Sequence, residues 1–309
     1  MKIYRDLSSY KVEHAILTQG TFDGVHLGHR QIIERIIETA REEKGESVLL
    51  TFHPHPRHVL FPDIEGPMLL SSLEEKIQKL EEIGLEHLII YPFTKDFSRM
   101  DAVHFVRDLL VNQIHAKKII VGYDHHFARN REGNLSTLIE LGPLYDFEVE
   151  EISAQEIDDI NISSTKIRKA IEEGDLTTAN KYLGYEYVLN GSVIKGKQVG
   201  RTLGYPTANL NVNGQVKLIP KDGIYVVKAR IEDKLYKGMM SIGFNPTVQT
   251  ENRQRHIEVN IFDFDQDIYG KDVEVSIVQR LRDEEKFEDL EGLKRKLHED
   301  KVRSLEILG

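Results

Sequence analysis

The chain has 309 residues and no cysteine, and its 41 Lys plus Arg against 51 Asp plus Glu give a formal net charge of −10 at pH 7. This length indicates two domains, the acidic balance argues against nucleic acid as a partner, and the lack of cysteine excludes disulfides and thiolate metal sites. The N-terminal residues lack an apolar signal segment and no run has membrane-spanning length, so we expect a cytoplasmic protein without a membrane partner.

From residue 15 to about 152, short apolar runs alternate with helical patterns. Strands are predicted at 15–19, 47–52, 86–91, 117–122 and 146–152, and helices at 29–44, 73–83, 101–114 and 134–141. This alternation predicts an α/β fold, a Rossmann-like parallel sheet with helices on both faces. Because ligands bind beyond the carboxyl ends of such strands, motifs that follow strands are expected to gather at one rim.

The first such motif is GTFDGVHLGH at 20–29, between an apolar strand and a strongly periodic helix. A helix start offers unpaired N–H groups and the positive end of the dipole, which suit an anion. His26 and His29 flank Gly28, which leaves room for a phosphate or a purine. A single histidine at a helix start is more often only a cap, but the longer string favours a nucleotide phosphate site.

Two further motifs follow strands. In HPHP at 53–56 the two prolines end the strand, either as a rigid exit or as a preformed wall for a flat ligand. In VGYDHHFARNREG at 121–133, Asp124 can accept a hydrogen bond from a ligand ring, and Arg129 and Arg131 can pair with phosphates.

The segment NISSTKIRKAI at 161–171 places hydroxyls and cations at another helix start. Ser163, Ser164 and Thr165 are typical of N-caps, which is the simpler interpretation. Lys166 and Arg168 follow within one turn, so the segment can also hold the outer phosphates of a nucleotide.

After helices predicted at 164–173 and 175–183, the pattern changes to period-two strands at 187–194, 223–232, 235–243, 256–262 and 272–279. A helical stripe returns only at 284–299. This order predicts a small antiparallel β-barrel with a C-terminal helix. We place the domain boundary so that residues 1–184 form the first domain and 185–309 the second.

The second domain carries its own polar motifs. The glycines of KGKQVGRTLGYPTANL allow a loop around phosphates, although a mobile surface loop is the simpler interpretation. Thr207 and Asn209 alternate on one side of an extended segment, so both oxygens can reach one hard cation. Glu258 lies on the opposite strand face from Ile257 and Val259; it is either a rim charge or a general base for a hydroxyl substrate.

These strings resemble known families. The 20–29 string resembles the nucleotidylyltransferase signature in its bacterial FAD synthetase form, and Ile-Ser-Ser-Thr-x-x-Arg at 162–168 resembles the second motif of that superfamily. The 200–209, 223–225, 242–247 and 258–265 segments resemble riboflavin kinase domains. His125 and Ala128 depart from the family pattern Asp-Phe-x-Phe-Gly, in which they replace the first aromatic residue and the glycine.

The resemblance implies a bifunctional riboflavin kinase/FMN adenylyltransferase with riboflavin, FMN, ATP and Mg²⁺ as ligands. Catalytic roles are implied for His26, His29 and Glu258, and metal binding for Thr207 and Asn209. Flavin contacts are implied for Phe52, Pro54, His55, Pro56, Asp124 and Phe127. ATP contacts are implied for Gly20, Thr21, Phe22, Asp23, Gly24, Gly28, Ser163, Ser164, Thr165, Lys166, Arg168, Gly196, Gly200, Arg201 and Gly204.

Two alternatives stay open at the level of sequence. One is a nucleotidylyltransferase with another acceptor specificity, which would leave the kinase-like half without a purpose. The other is a flavin-binding protein in which one active site has decayed. Sequence does not decide the oligomeric state.

Overall fold

A computed structural model of the protein describes residues 1–62, 68–123, 125–153, 162–196, 203–212, 216–244 and 255–309. The chain divides into two units, Met1–Ser163 and Ser164–Gly309, each with its own sheet. Among the described residues, no helix is both long enough and apolar enough to cross a membrane.

The first unit is built on a six-stranded sheet with strands at Lys2–Tyr4 (β1), Ala15–Gln19 (β2), Glu46–His53 (β3), His87–Pro92 (β4), Ala116–Gly122 (β5) and Glu148–Ile152 (β6). Their order is β1-β4-β3-β2-β5-β6, and every adjacent pair is parallel. The predicted Rossmann-like sheet is therefore confirmed. The outer positions belong to β1, which has three residues, and to β6, whose sequence is EVEEI.

Strand β2 is buried on both faces, and its alternate residues enter two different cores. Ala15 and Leu17 belong to the core that contains Phe105 and Phe127, whereas Ile16 belongs to the core on the other side. The sequence of such a strand is a nearly continuous apolar run, because helices cover both faces of a parallel sheet.

The helices of the first unit are Leu27–Glu43 (α1), Pro56–Leu60 (α2), Leu73–Ile83 (α3), Ala102–His104 (α4) and Leu135–Tyr145 (α5). Helix α4 continues as π-helical turns over Phe105–Val111, where one α-helix was predicted. Helix α3 begins with a capping box, in which Glu75 N donates to Ser72 Oγ (3.1 Å) and Ser72 N donates to the Glu75 carboxylate (3.0 Å).

The second unit contains a closed antiparallel barrel, with strands at Tyr187–Ile194 (β7), Ala208–Val212 (β8), Gly223–Ile231 (β9), Lys234–Phe244 (β10), Arg255–Ile261 (β11) and Asp272–Arg282 (β12). Their order around the barrel is β10-β11-β8-β7-β12-β9. Helices Ser164–Glu173 (α6) and Leu176–Leu183 (α7) precede the barrel, and Leu290–Leu308 (α8) follows it. The predicted barrel with a C-terminal helix is confirmed.

Side chains fasten two of these helices to β12. In α7, Asn180 Nδ2 donates to the carbonyls of Ile277 (2.9 Å) and Val278 (3.2 Å). In α8, the buried Asp300 carboxylate accepts from Arg282 Nε (3.0 Å) and Nη2 (2.7 Å). Strand β12, the last of the barrel, therefore also binds the two helices that flank it.

Two element predictions were wrong at the level of boundaries. The C-terminal helix begins at Leu290 and not at 284, because Asp289 caps it by accepting from Gly292 N (2.7 Å). Strand β8 is absent from the predicted strands, because the sequence indicates only an extended segment there. Its asparagines disfavour a strand, but pairing with β7 and β11 overrides that propensity.

Candidate active sites

The loop of residues 20–25, called the 20–25 loop below, joins β2 to α1 through a strained backbone. Phe22 (φ 45°), Gly24 (φ 81°) and Val25 (φ 38°) all have left-handed φ values, which are costly for the two non-glycine residues. Gly20 lies so close to the Phe22 ring that an added Cβ would be 3.0 Å away. Such strain is typical of loops that are shaped for a ligand.

The two histidines lie together at the start of α1. His26 is the N-cap, and its Nδ1 accepts from the backbone N–H of His29 (3.3 Å). Their rings stack at 3.6 Å between centroids, with 17° between planes, and the His29 ring also lies 4.8 Å from Phe22. Because Nδ1 of His26 is an acceptor, the proton of its neutral ring is on Nε2. Gly28 is buried in the same turn.

Buried polar contacts hold the 20–25 loop in place. The Asp23 carboxylate is 2 % exposed and accepts from the backbone N–H groups of Leu70 (3.0 Å) and Ser71 (3.2 Å). Lys76 Nζ donates to the Thr21 carbonyl (2.7 Å). Burial lowers the pKa of Lys76 to about 8, and the charge of Asp23 opposes that shift. The structure thus gives Asp23 an anchoring position; its direct contact with ATP stays a prediction.

The HPHP segment follows β3 directly at the same rim. Pro54 lies in the turn after His53, and α2 starts at Pro56 with His55 as its cap, whose Nδ1 accepts from Arg57 N (3.3 Å). The Phe52 ring lies at the end of β3, 5.8 Å from the rings of both Phe93 and Phe97.

The Phe52 ring belongs to a chain of aromatic side chains, called the aromatic cluster below: Phe52, Tyr91, Phe93, Phe97, Phe105 and Phe127. Phe97 lies 4.9 Å from Tyr91 and 6.0 Å from Phe105, and Phe105 lies 5.4 Å from Phe127. The cluster connects Phe52 with Phe127, the two aromatic residues predicted to contact the flavin. Sequence reasoning missed the other four residues of the cluster, although Tyr91 ends a predicted strand and Phe93 follows it.

The segment after β5 lies next to the 20–25 loop, because β5 and β2 are adjacent in the sheet. His125 stacks on Phe127 (5.9 Å, 25°) and its Nε2 lies 3.1 Å from Gln19 Nε2. Ala128, which replaces the family's glycine, keeps a glycine-like backbone with φ 61° and ψ −170°. The predicted Asp124 lies outside the described residues.

The motif at 163–168 falls at the division between the units. Ser163 is the last residue of the first unit, and Ser164, Thr165, Lys166 and Arg168 lie in the first turns of α6 in the second. Thr165 and Lys166 are exposed and Arg168 is partly exposed. Their predicted contact with a nucleotide stays a prediction. The motifs after β2, β3 and β5 do meet at one rim of the parallel sheet, as expected.

In the second unit, Glu258 lies in β11 between two polar neighbours. It is directly opposite Asn209 of β8 and Ser241 of β10. Thr207 Oγ1 donates to the Glu258 carboxylate (3.0 Å), and Asn260 Nδ2 donates to the Pro206 carbonyl (2.7 Å). The predicted base and metal ligands are therefore brought together on the barrel.

Glycines allow close approaches around this site. A Cβ on Gly196 would overlap the Asn209 side chain, so only glycine fits there without a shift of Asn209. Gly204 has φ +83° and is open to solvent on its Cβ side. Gly200 and Arg201 lie outside the described residues.

A second carboxylate, which sequence reasoning missed, lies near Glu258. Glu284 Oε1 accepts from Ser241 Oγ (3.2 Å), and a Cβ on Gly243 would overlap its carboxylate. Burial raises the pKa of Glu284, and the charges of Asp222 and Glu258 add to that shift. Nothing in the local sequence marks Glu284, because β10 brings Ser241 to it across 43 residues.

Comparison with known proteins identifies both units. A family model described as FAD synthetase matches residues 9–166, and one described as riboflavin kinase matches residues 183–308. Proteins named bifunctional riboflavin kinase/FMN adenylyltransferase are similar over nearly the whole chain. That of Listeria monocytogenes is 39% identical, over 92% of this chain and 90% of its own. That of Escherichia coli K12 is 33% identical, over 100% and 98%.

One solved structure is also similar over both units. It has a TM-score of 0.88 and 32% identity, covers 98% of each chain, and is titled a macrolide-efflux protein from Streptococcus pneumoniae. That title is a statement about that protein, whereas the two family models and the curated relatives agree on flavin chemistry. The chain belongs to the bifunctional riboflavin kinase/FMN adenylyltransferase family, with an FAD synthetase domain followed by a riboflavin kinase domain.

Proposed function

We propose that the two activities use two separate sites, adenylyl transfer in residues 1–184 and phosphorylation of riboflavin in residues 185–309. The order of the reactions follows from chemistry, because adenylylation needs the phosphate that the kinase installs. The observation that carries the proposal is the Thr207–Glu258 hydrogen bond. It holds the carboxylate that we propose as the base beside the proposed metal ligands.

At the kinase site, Glu258 accepts the proton of the ribityl 5′-hydroxyl of riboflavin. The hydroxyl oxygen forms a bond to the γ-phosphorus of ATP, the bond from that phosphorus to the β–γ bridging oxygen breaks, and ADP leaves. The Thr207 hydroxyl donates to one oxygen of Glu258, which leaves the other oxygen to accept the substrate proton. A base positioned in this way contributes about 10²–10⁴-fold to the rate.

Thr207 and Asn209 are the proposed ligands of Mg²⁺ at this site. The hydroxyl and carboxamide oxygens are hard donors of the kind that Mg²⁺ accepts, and both residues lie next to a carboxylate. When bound with ATP, the ion would supply neutralisation of phosphate charge. The protein's own part is to fix these oxygens: the Asn260–Pro206 hydrogen bond fastens the segment to β11, and Gly196 leaves space for the Asn209 side chain.

At the adenylyltransferase site, a phosphate oxygen of FMN attacks the α-phosphorus of ATP. A new phosphoanhydride bond forms, the α–β bond breaks, and pyrophosphate leaves. His26 and His29, at the N-terminus of α1, would hydrogen-bond the α-phosphate as its charge develops. Such contacts are worth about 3–4 kcal/mol each in the transition state. Lys166 and Arg168 are proposed to hold the departing pyrophosphate, with the hydroxyls of residues 163–165.

The aromatic cluster supports flavin binding at the same rim. The isoalloxazine ring is flat and largely apolar, and aromatic side chains stack on such rings. One side of the rim is formed by the end of β3 and the residues after it, which include Phe52, Pro54, His55 and Pro56. Phe127 lies on the other side. We also propose a cytoplasmic location, because both reactions consume ATP.

The test is incubation with riboflavin, ATP and Mg²⁺, followed by separation of the flavins. We expect both FMN and FAD. Glu258→Ala should abolish FMN formation but leave FAD formation from supplied FMN, and His29→Ala should do the reverse. Replacing ATP by CTP tests the alternative of a cytidylyltransferase, and replacing FMN by another phosphorylated acceptor tests a different acceptor specificity. Loss of both activities in either folded variant would contradict the two-site proposal, and no turnover by the unaltered protein would contradict the function.

A further inference from the structure

A buried carboxamide lies where β2 ends and the 20–25 loop begins. Gln19 is the last residue of β2 and is 3 % exposed. Its Nε2 lies 3.1 Å from His125 Nε2, and its Oε1 is buried with no hydrogen-bond partner among the described residues. An unpaired buried carbonyl oxygen costs stability, so proteins retain one where a ligand or water completes it.

The amide nitrogen of Gln19, and not its oxygen, faces His125. Because the amide nitrogen is a donor, it donates to an unprotonated Nε2 of His125, and the amide oxygen is left as an acceptor. The His125 ring is itself held by stacking on Phe127 at 5.9 Å. The phenylalanine that the family usually carries at position 125 has no atom to accept this bond. The orientation of the buried Gln19 amide therefore depends on a histidine at position 125.

The position of Gln19 places this acceptor at the ligand rim. Side chains alternate along β2, so Gln19 lies on the same face as Ala15 and Leu17, the face covered by Phe105 and Phe127. It therefore lies between the 20–25 loop and the aromatic cluster, at the carboxyl ends of β2 and β5. In open parallel sheets, ligands bind at this place.

We propose that Gln19, oriented by His125, accepts a hydrogen bond from the N–H edge of a heteroaromatic ring bound at this rim, and so helps to select that ring. Both substrates of the proposed adenylyl transfer, on which this inference rests, carry such an edge: the exocyclic amino group of adenine and the imide N–H of the isoalloxazine. The aromatic cluster supplies stacking for a flat ring, and the carboxamide supplies the polar contact that orients it.

The experiment compares each substrate with an analogue that lacks the N–H edge. Purine riboside triphosphate replaces ATP, and N3-methyl-FMN replaces FMN. The variants are Gln19→Leu, which removes the amide at similar volume, and His125→Phe, which keeps the stacking but not the acceptor. For each protein, kcat/KM of adenylyl transfer and the Kd of each substrate and analogue are measured. The urea-unfolding transition of each variant, followed by circular dichroism, reports whether the first unit is folded, because FMN formation depends on the second unit.

We expect the unaltered protein to prefer one parent compound over its analogue by roughly tenfold or more, the discrimination of one hydrogen bond. Gln19→Leu should abolish that preference, and His125→Phe should reduce it. A lost preference for ATP identifies adenine as the ring that Gln19 contacts, and a lost preference for FMN identifies the isoalloxazine. Unchanged preferences in both variants, or an equal loss for parent and analogue, would overturn the inference. If the unaltered protein fails to adenylylate FMN, the proposed function fails instead, and the Kd values still decide whether Gln19 selects a ring.

Discussion

The Thr207 hydroxyl donates to the Glu258 carboxylate at 3.0 Å, across the point where β8 pairs with β11. The two residues are 51 positions apart in the chain, so the barrel alone creates the contact. This hydrogen bond leaves one carboxylate oxygen to accept the substrate proton. It also joins a proposed metal ligand to the proposed base, so a change at Thr207 tests both roles.

Thr207→Val keeps the shape of the side chain and removes the hydroxyl. We expect FMN formation to fall about tenfold to hundredfold, since a misdirected base loses part of its contribution. Thr207→Ser should restore most of the rate, and FAD formation from supplied FMN should be unaffected. Steady-state rates of both reactions measure this. A valine variant with full kinase activity would contradict the role of the hydrogen bond.

Lys76 gives the first unit a specific pH dependence. Its pKa is about 8 in the folded protein and 10.5 in an unfolded chain. Between these values the unfolded chain binds more protons at this residue, so the free energy of unfolding that Lys76 contributes rises with pH. Below about pH 8 the cost of burying the charge is fully present.

Urea denaturation at several pH values between 7 and 10 measures the effect. The difference in unfolding free energy between the unaltered protein and Lys76→Met should change across that window, by at most about 1.4 kcal/mol per pH unit. Lys79→Met is the matched control, because Lys79 lies on the same helix and pairs with Glu82 at the surface. A difference that is flat with pH would show that Lys76 is not titrating there.

Ala128→Gly should stabilise the first unit. Ala128 has φ 61° and ψ −170°, a conformation that is populated almost only by glycine and costs a residue with a Cβ about 1–3 kcal/mol. Part of the gain is lost because glycine makes the unfolded chain more flexible, so we expect about 1 kcal/mol in urea denaturation.

Asn130→Gly is the control for Ala128→Gly. Asn130 has φ 53° and ψ 20°, a left-handed conformation that asparagine tolerates. Its substitution should therefore change the free energy of unfolding by less. Equal effects at the two positions would contradict the backbone argument.

Asp300 should be a major stabilising residue of the second unit. Asp300 is 4 % exposed, and its carboxylate accepts hydrogen bonds from both Nε and Nη2 of Arg282. Asp300→Ala removes the closer of two carboxylates beside the buried Arg282 charge and leaves Glu285 at 3.6 Å, so we expect a loss of about 3 kcal/mol, the lower end for a broken buried pair. Glu299→Ala removes a carboxylate of the same helix that is 56% exposed and lies 3.0 Å from Lys296. We expect that control to stay within about 0.5 kcal/mol in thermal or urea unfolding.

The sequence predicted those parts of the fold and of the sites that depend on residues close together in the chain. The two histidines and the strand and helix beside them are consecutive in sequence, so their arrangement at a helix start was predictable. Lys76 and Glu284 were not, because each reaches its site through tertiary contacts with residues 55 and 43 positions away. Position 76 lies on the apolar face of α3, three residues after Leu73 and four before Leu80, but a lysine is rarely buried, so its residue type argues for the surface.

The two outer strands of the parallel sheet determine how readily the protein aggregates through its sheet edges. An open sheet exposes unpaired N–H and C=O groups along its edges, and another chain can pair with them. Here one edge is the three-residue β1 and the other is β6, in which three of five residues are glutamate. A short edge offers little backbone for pairing, and a second copy of β6 would bring like charges together. The sheet is therefore protected against edge-to-edge aggregation, and replacing these glutamates by valine or threonine would remove that protection without touching either active site.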